Sequence, residues 1–129
     1  MNIKEISMEI YENNKAKGFW DNERNVGEML MLVTSELSEA LEADRKGKEA
    51  NIAEFDYEMQ NPSITPAIEE NAFKNAFENN IKDSFEDEMA DAAIRIFDIC
   101  FGLGIDIEFH IEQKLRYNKL RAHMHGKKY

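Results

Sequence analysis

Glu36-Leu37-Ser38-Glu39 and Glu88-Met89-Ala90-Asp91 each set two carboxylates three residues apart, in segments whose apolar residues recur with helical period. A three-residue step puts both acids of a pair on one side of a helix turn. Two such helices packed together gather four carboxylates into one pocket, which repels itself unless cations occupy it. Divalent metal chemistry is the first functional class these spacings point to. Either pair alone is ordinary solvated helix surface in a chain so rich in Glu. Both pairs, however, sit beside an apolar stripe, where a buried charge is costly without a counter-ion. Oxygen-only donors suit Mg²⁺ or Mn²⁺, and a lone cysteine is too few for a structural zinc site.

A second set of residues complements the acids. Lys114, Asn118 and Arg121 follow at four- and three-residue steps and share one helix face. Such a face can hold a polyphosphate, with Arg as the fork for a phosphate oxygen. The plainer reading is a basic helix end favoured by the dipole, and on spacing alone that reading wins. Trp20 follows Phe19 at a helix junction, as a core plug or staple or, more sharply, as a surface on which a nucleobase stacks. His123 and His125 are two apart in a polar tail, a poor geometry for a helical metal pair, and read as solvated or phosphate-facing. Cys100 lies on an apolar face and reads as core.

The elements that must position these groups are helices. Strand alternation is never sustained, so the expected fold is all-α, an antiparallel bundle of about four to five helices. A first helix is expected from Ile3 to Ala16, stopped by Gly18. The second runs from Asn22 or Asn25 to Lys46, with Gly47 beyond it. Its expected inward stripe is Val26, Leu30, Val33, Leu37, Ala40 and Leu41. Residues 48–65 carry the weakest signal, with a turn at Asn61-Pro62-Ser63. Thr65-Pro66 reads as an N-cap and first helical residue, with a break near Asn79-Asn80. The second acidic helix is expected from Lys82 to Leu103, with Phe85, Met89, Ala92, Ile96, Ile99 and Leu103 inward. Asp106 caps a last helix to about Arg121, with Ile107, His110, Ile111, Leu115 and Asn118 on its buried side. The tail after it reads as polar and partly mobile.

Length and charge bound the rest. The 129 residues suit one domain, 1–129. A net charge of −10 argues against a nucleic-acid polymer as partner, since phosphates are repelled. The charge is uneven: residues 113–129 hold six Lys or Arg and no acid, while residues 51–91 hold eleven acids. An acidic body with a basic tail can take metal with one part and phosphate with the other. A single cysteine and the absence of an apolar run of ~20 residues point to a cytoplasmic protein with no membrane partner.

In order along the chain, Glu36-x-x-Glu39, Glu88-x-x-Asp91 and Lys114-x-x-x-Asn118-x-x-Arg121 resemble the MazG-like group of the all-α nucleoside triphosphate pyrophosphatase superfamily. Gly18-Phe19-Trp20 and the terminal His125-Gly126-Lys127-Lys128 belong to the same likeness. The resemblance implies hydrolysis of a nucleotide at its α–β phosphoanhydride, giving a monophosphate and pyrophosphate. It implies Glu36, Glu39, Glu88 and Asp91 as catalytic Mg²⁺ ligands, with Lys114, Asn118 and Arg121 on the phosphates. Trp20 would line the base or sugar pocket, and a homodimer or homotetramer would complete the bundle. The chain departs from the pattern at Ser35, where many relatives carry a further glutamate, a loss that Glu42 could offset. The segment 51–80 is also longer than in compact members. The missing acid at Ser35 keeps a second class open, a catalytically impaired metal- or nucleotide-binding or dimerisation module.

Overall fold

Asparagine and aspartate side chains open four of the six α-helices among the described residues. The computed structural model describes residues 2–129; Met1 and the side chain of His125 lie outside the described set, and so do the readings made for the His125 side chain. The helices are α1 (Ile3–Ala16), α2 (Val26–Arg45), α3 (Ile52–Met59), α4 (Glu69–Asn80), α5 (Phe85–Gly102) and α6 (Ile107–Asn118), with a 3₁₀ turn at His123–Gly126. The fold is all-α, a helical bundle. No described helix is long and apolar enough to cross a membrane.

The caps explain where these helices begin. Asn2, Asn25, Asn51 and Asp106 each accept a backbone N–H three residues on, from Glu5, Glu28, Glu54 and Phe109. Each such bond satisfies one of the N–H groups that a helix start leaves orphaned. Gly18 ends α1 at φ +89° and Gly47 ends α2 at φ +64°, conformations that glycine adopts without a Cβ penalty.

The chain divides into two compact units, residues 25–93 and residues 1–24 with 94–129. In the first, α3 and α4 form a helical hairpin closed by aromatic rings. Phe55 meets Phe73 edge-on at 6.1 Å between centroids, and Phe73 lies 5.9 Å from Phe77. The Asn51 N–H donates to the Asn80 carbonyl at 2.8 Å across the hairpin base. In the other unit, Tyr11 on α1 packs 5.1 Å from Phe101 and 5.4 Å from Trp20. Cys100 is buried there, as its apolar setting in the sequence indicates, and burial pushes its thiol pKa up.

Several sequence expectations are corrected. Residues 48–65 contain α3, a capped helix with Phe55 and Met59 on its half-buried side. Thr65 does not cap a helix: its carbonyl closes a turn with the Ile68 N–H at 3.0 Å, and α4 starts three residues after Pro66. The break at Asn79-Asn80 is present, but α5 starts at Phe85 rather than Lys82, because Asp83 takes φ +60° and Ser84 is buried at the helix start. The last helix ends at Asn118, short of Arg121.

The inward faces are rotated from those expected. On α2 Ala40 is buried as expected and Val33 half-buried, but Met29, Glu36 and Ala43 are buried beside Ala40 while Val26, Leu30, Leu37 and Leu41 are exposed. On α5, Ala92 and Ile99 are buried as expected, but Phe85, Met89 and Ile96 are exposed, as is Leu103 just past its end. The physical reason is size. Alanines let helices approach closely, so the alanine side of α2 goes inward and takes Glu36 with it. On α6, His110 and Leu115 are exposed, and Ile107, Ile111 and Asn118 are half-buried.

Candidate functional site

Helix geometry delivers Glu36 and Glu39 from the middle of α2, and Glu88 and Asp91 from the first turns of α5, all within the unit 25–93. Carboxylate oxygens of Glu36, Glu88 and Asp91 lie within 4.8 Å of one another. Glu36 is only 7% exposed and Glu88 6%, while Asp91 is half-buried. Burial raises the Glu88 pKa, and the neighbouring charges of Glu39, Asp91, Asp87 and Glu36 raise it further. A carboxyl group so placed favours its protonated form unless a cation joins it.

Glu39 stands slightly apart. It is exposed and lines, with Glu88, a cavity of about 270 Å³ beside the trio. Three of the four acids chosen from sequence thus converge at ligand distance, and the fourth faces the adjoining cavity. The trio offers oxygen donors alone, a set that fits Mg²⁺ or Mn²⁺. Ser35, where the sequence lacks the further acid, is exposed. Glu42 reaches the same cavity but is paired with Lys46 at 3.2 Å.

The start of α5 is built to hold Glu88 and Asp91 in register. Ser84 is buried, its carbonyl accepts the Glu88 N–H at 3.0 Å, and its hydroxyl accepts the Asp87 N–H at 3.2 Å. Asp87 in turn accepts the Asp83 N–H at 2.8 Å. Glu86 accepts the Ala50 N–H at 2.9 Å, a bond that holds its pKa below the usual carboxylate value. No motif in the sequence marked this scaffold, though Ser84 three residues before Asp87 is a capping spacing.

Lys114, Asn118, Arg121 and Trp20 belong to the other unit. Lys114 Nζ lies 5.2 Å and Arg121 Cζ 5.7 Å from the centre of the Tyr117 ring, so both cations gather round one aromatic face or edge. The Asn118 Oδ1 atom is buried and, among the described residues, accepts no hydrogen bond. A buried acceptor left so costs roughly 1–3 kcal/mol.

Trp20 is held by a network that the sequence does not reveal. Its indole N–H donates to Asp98 Oδ1 at 2.9 Å, and Arg24 pairs with the other oxygen of Asp98 at 3.4 Å. The Arg24 guanidinium also lies 4.8 Å from the Trp20 ring centre. Gly102 lies against the indole so closely that any added Cβ would collide with it. This packing gives Trp20 the part of a core plug within its unit; the neighbouring Phe19 is exposed.

Compared with known proteins, the chain finds no counterpart: no family model, no curated protein and no solved structure matches it.

Proposed function

We propose that the protein is a Mg²⁺-dependent nucleotide pyrophosphohydrolase of the MazG-like kind, cleaving a nucleoside triphosphate into a monophosphate and pyrophosphate. The observation that carries this reading is the convergence of Glu36, Glu88 and Asp91 oxygens within 4.8 Å, two of the three side chains being more than nine-tenths buried. Three oxygen donors gathered so closely, two of them on buried side chains, suit a hard divalent cation.

In this reading Glu36, Glu39, Glu88 and Asp91 hold Mg²⁺, which when bound neutralises phosphate charge and polarises the phosphorus. The remaining chemistry belongs to the chain. A glutamate of the set orients the attacking water and accepts its proton. The water oxygen bonds to the α-phosphorus, the α–β bridging bond breaks, and its electron pair leaves with pyrophosphate. Lys114, Asn118 and Arg121 are assigned to the substrate phosphates through the family likeness. Trp20 enters at the nucleobase only through the family likeness.

Exposed Val26, Leu30, Leu37 and Leu41 on α2 support a homodimer or homotetramer that covers them. A cytoplasmic setting, where nucleotides and Mg²⁺ are abundant, belongs to the same proposal. The same leucines, with Ser35 in place of an acid, favour the second reading of an impaired binding or dimerisation module. The two readings separate in one assay: release of pyrophosphate and monophosphate from a panel of ribo- and deoxynucleoside triphosphates, with Mg²⁺ and with EDTA. Metal-dependent release of both products supports the enzyme; binding without release supports the module.

A further inference from the structure

The loop after α2 brings a lysine to the carboxylate cavity by backbone contacts. Gly47 turns the chain out of α2, and the Lys48 N–H bonds back to the Ala43 carbonyl at 2.9 Å. The Lys48 carbonyl accepts the Phe85 N–H at 2.9 Å, and two residues on the Ala50 N–H reaches Glu86. Lys48 is thereby fixed between the end of the helix bearing Glu36 and Glu39 and the start of the helix bearing Glu88 and Asp91. Its side chain lines the 270 Å³ cavity together with Glu39 and Glu88.

The lysine is weakly committed. Its ammonium lies 3.8 Å from Asp83 Oδ2, both side chains being about half exposed. Asp83 already receives Lys82 at 2.8 and 3.0 Å on its two oxygens. A half-exposed ion pair of this kind contributes little, so a phosphate of higher charge displaces it readily.

We propose that Lys48 is the cation that receives the terminal phosphates of the substrate. The inference rests on the pyrophosphohydrolase reading and goes beyond it by assigning the leaving group to a residue of the acidic unit, where sequence spacing had pointed only to the last helix. As the α–β bond breaks, the electron pair settles on the bridging oxygen of pyrophosphate, and that growing charge is what the Lys48 ammonium meets. The proton released by the attacking water goes to a carboxylate and then to solvent.

The test compares wild type, Lys48→Met, Lys48→Gln and Lys48→Arg in steady-state hydrolysis with Mg²⁺, and in product inhibition by pyrophosphate and by the nucleoside monophosphate. In both neutral variants the pyrophosphate inhibition constant should rise on the order of tenfold to a hundredfold, while inhibition by the monophosphate stays as in wild type. Lys48→Arg should keep most of the pyrophosphate affinity. All three should melt with the wild type, because the anchor of residue 48 is its carbonyl. Unchanged pyrophosphate inhibition in folded Lys48→Met or Lys48→Gln, beside an active wild type, overturns the role of Lys48 alone. A wild type that neither releases nor binds pyrophosphate with Mg²⁺ overturns this inference and the reading beneath it.

Discussion

Glu36 on α2 and Glu88 on α5 hold carboxylate oxygens within 4.8 Å of each other, each side chain less than a tenth exposed. Two ionised carboxylates so close and so dry repel each other strongly. Burial and the acidic neighbours disfavour the charged form of Glu88, so removing that charge should stabilise the metal-free protein.

Glu88→Gln should accordingly raise the melting temperature in EDTA by a few degrees and abolish any rise on adding Mg²⁺. Differential scanning fluorimetry with and without metal reads both. A wild type whose melting temperature ignores Mg²⁺ contradicts a metal site at these acids.

The pH dependence of the metal-free protein follows from the same residue. The folded Glu88 binds its proton more tightly than the unfolded chain, since burial and its acidic neighbours raise its pKa. Its contribution to stability is therefore fully present below the ordinary carboxylate value and is lost as pH rises through the raised one. In EDTA, wild type should lose stability relative to Glu88→Gln over that interval, seen in urea midpoints measured from mildly acidic to neutral pH.

Glu86, two residues earlier, has the opposite sign. The Ala50 N–H holds its pKa below the ordinary value, so its contribution is present above that value and is lost as pH falls through the lowered one. Glu86→Gln should flatten the acid limb of the stability profile and leave the neutral limb nearly unchanged, as judged by acid titration followed by circular dichroism.

Gly102 and Trp20 make a purely structural prediction. Gly102→Ala puts a methyl into the indole and should cost about 1–3 kcal/mol through overpacking, despite the better helix propensity of alanine. A urea midpoint at or above that of wild type would contradict the packing described.

Leu37→Glu places a charge on the outward apolar side of α2. If a second copy covers that side, the variant should sediment as a smaller species than wild type while keeping its helical circular dichroism. Equal sedimentation of the two proteins would contradict that use of the face.

Much of this arrangement is legible in the sequence. The cap at Asp106, the stops at Gly18 and Gly47, and the break at Asn79-Asn80 are local signals, and local hydrogen bonding decides them. The acidic pairs were legible as pairs because their spacing is helical. What failed was the choice of face. Helix α2 carries Leu30, Leu37 and Leu41 on one side and Met29, Ala40 and Ala43 on another. Periodicity cannot rank two apolar faces, whereas close packing picks the one with alanines. Helix α3 was missed because Ile52, Phe55 and Met59 form a short stripe of only two turns. The bond from Trp20 to Asp98 joins residues 78 apart in sequence, and nothing near either residue announces the other. Lys48 was passed over for the same reason, since only the meeting of the loop with the start of α5 makes it a neighbour of Glu88.

The measurement that tests the central claim most directly is pyrophosphate release from nucleoside triphosphates by wild type and by Asp91→Asn, each with Mg²⁺ and with EDTA. The account predicts Mg²⁺-dependent release by wild type that falls on the order of 10²–10³-fold in the folded variant. Asp91→Asn activity within a few-fold of wild type, or release that persists in EDTA, would contradict it.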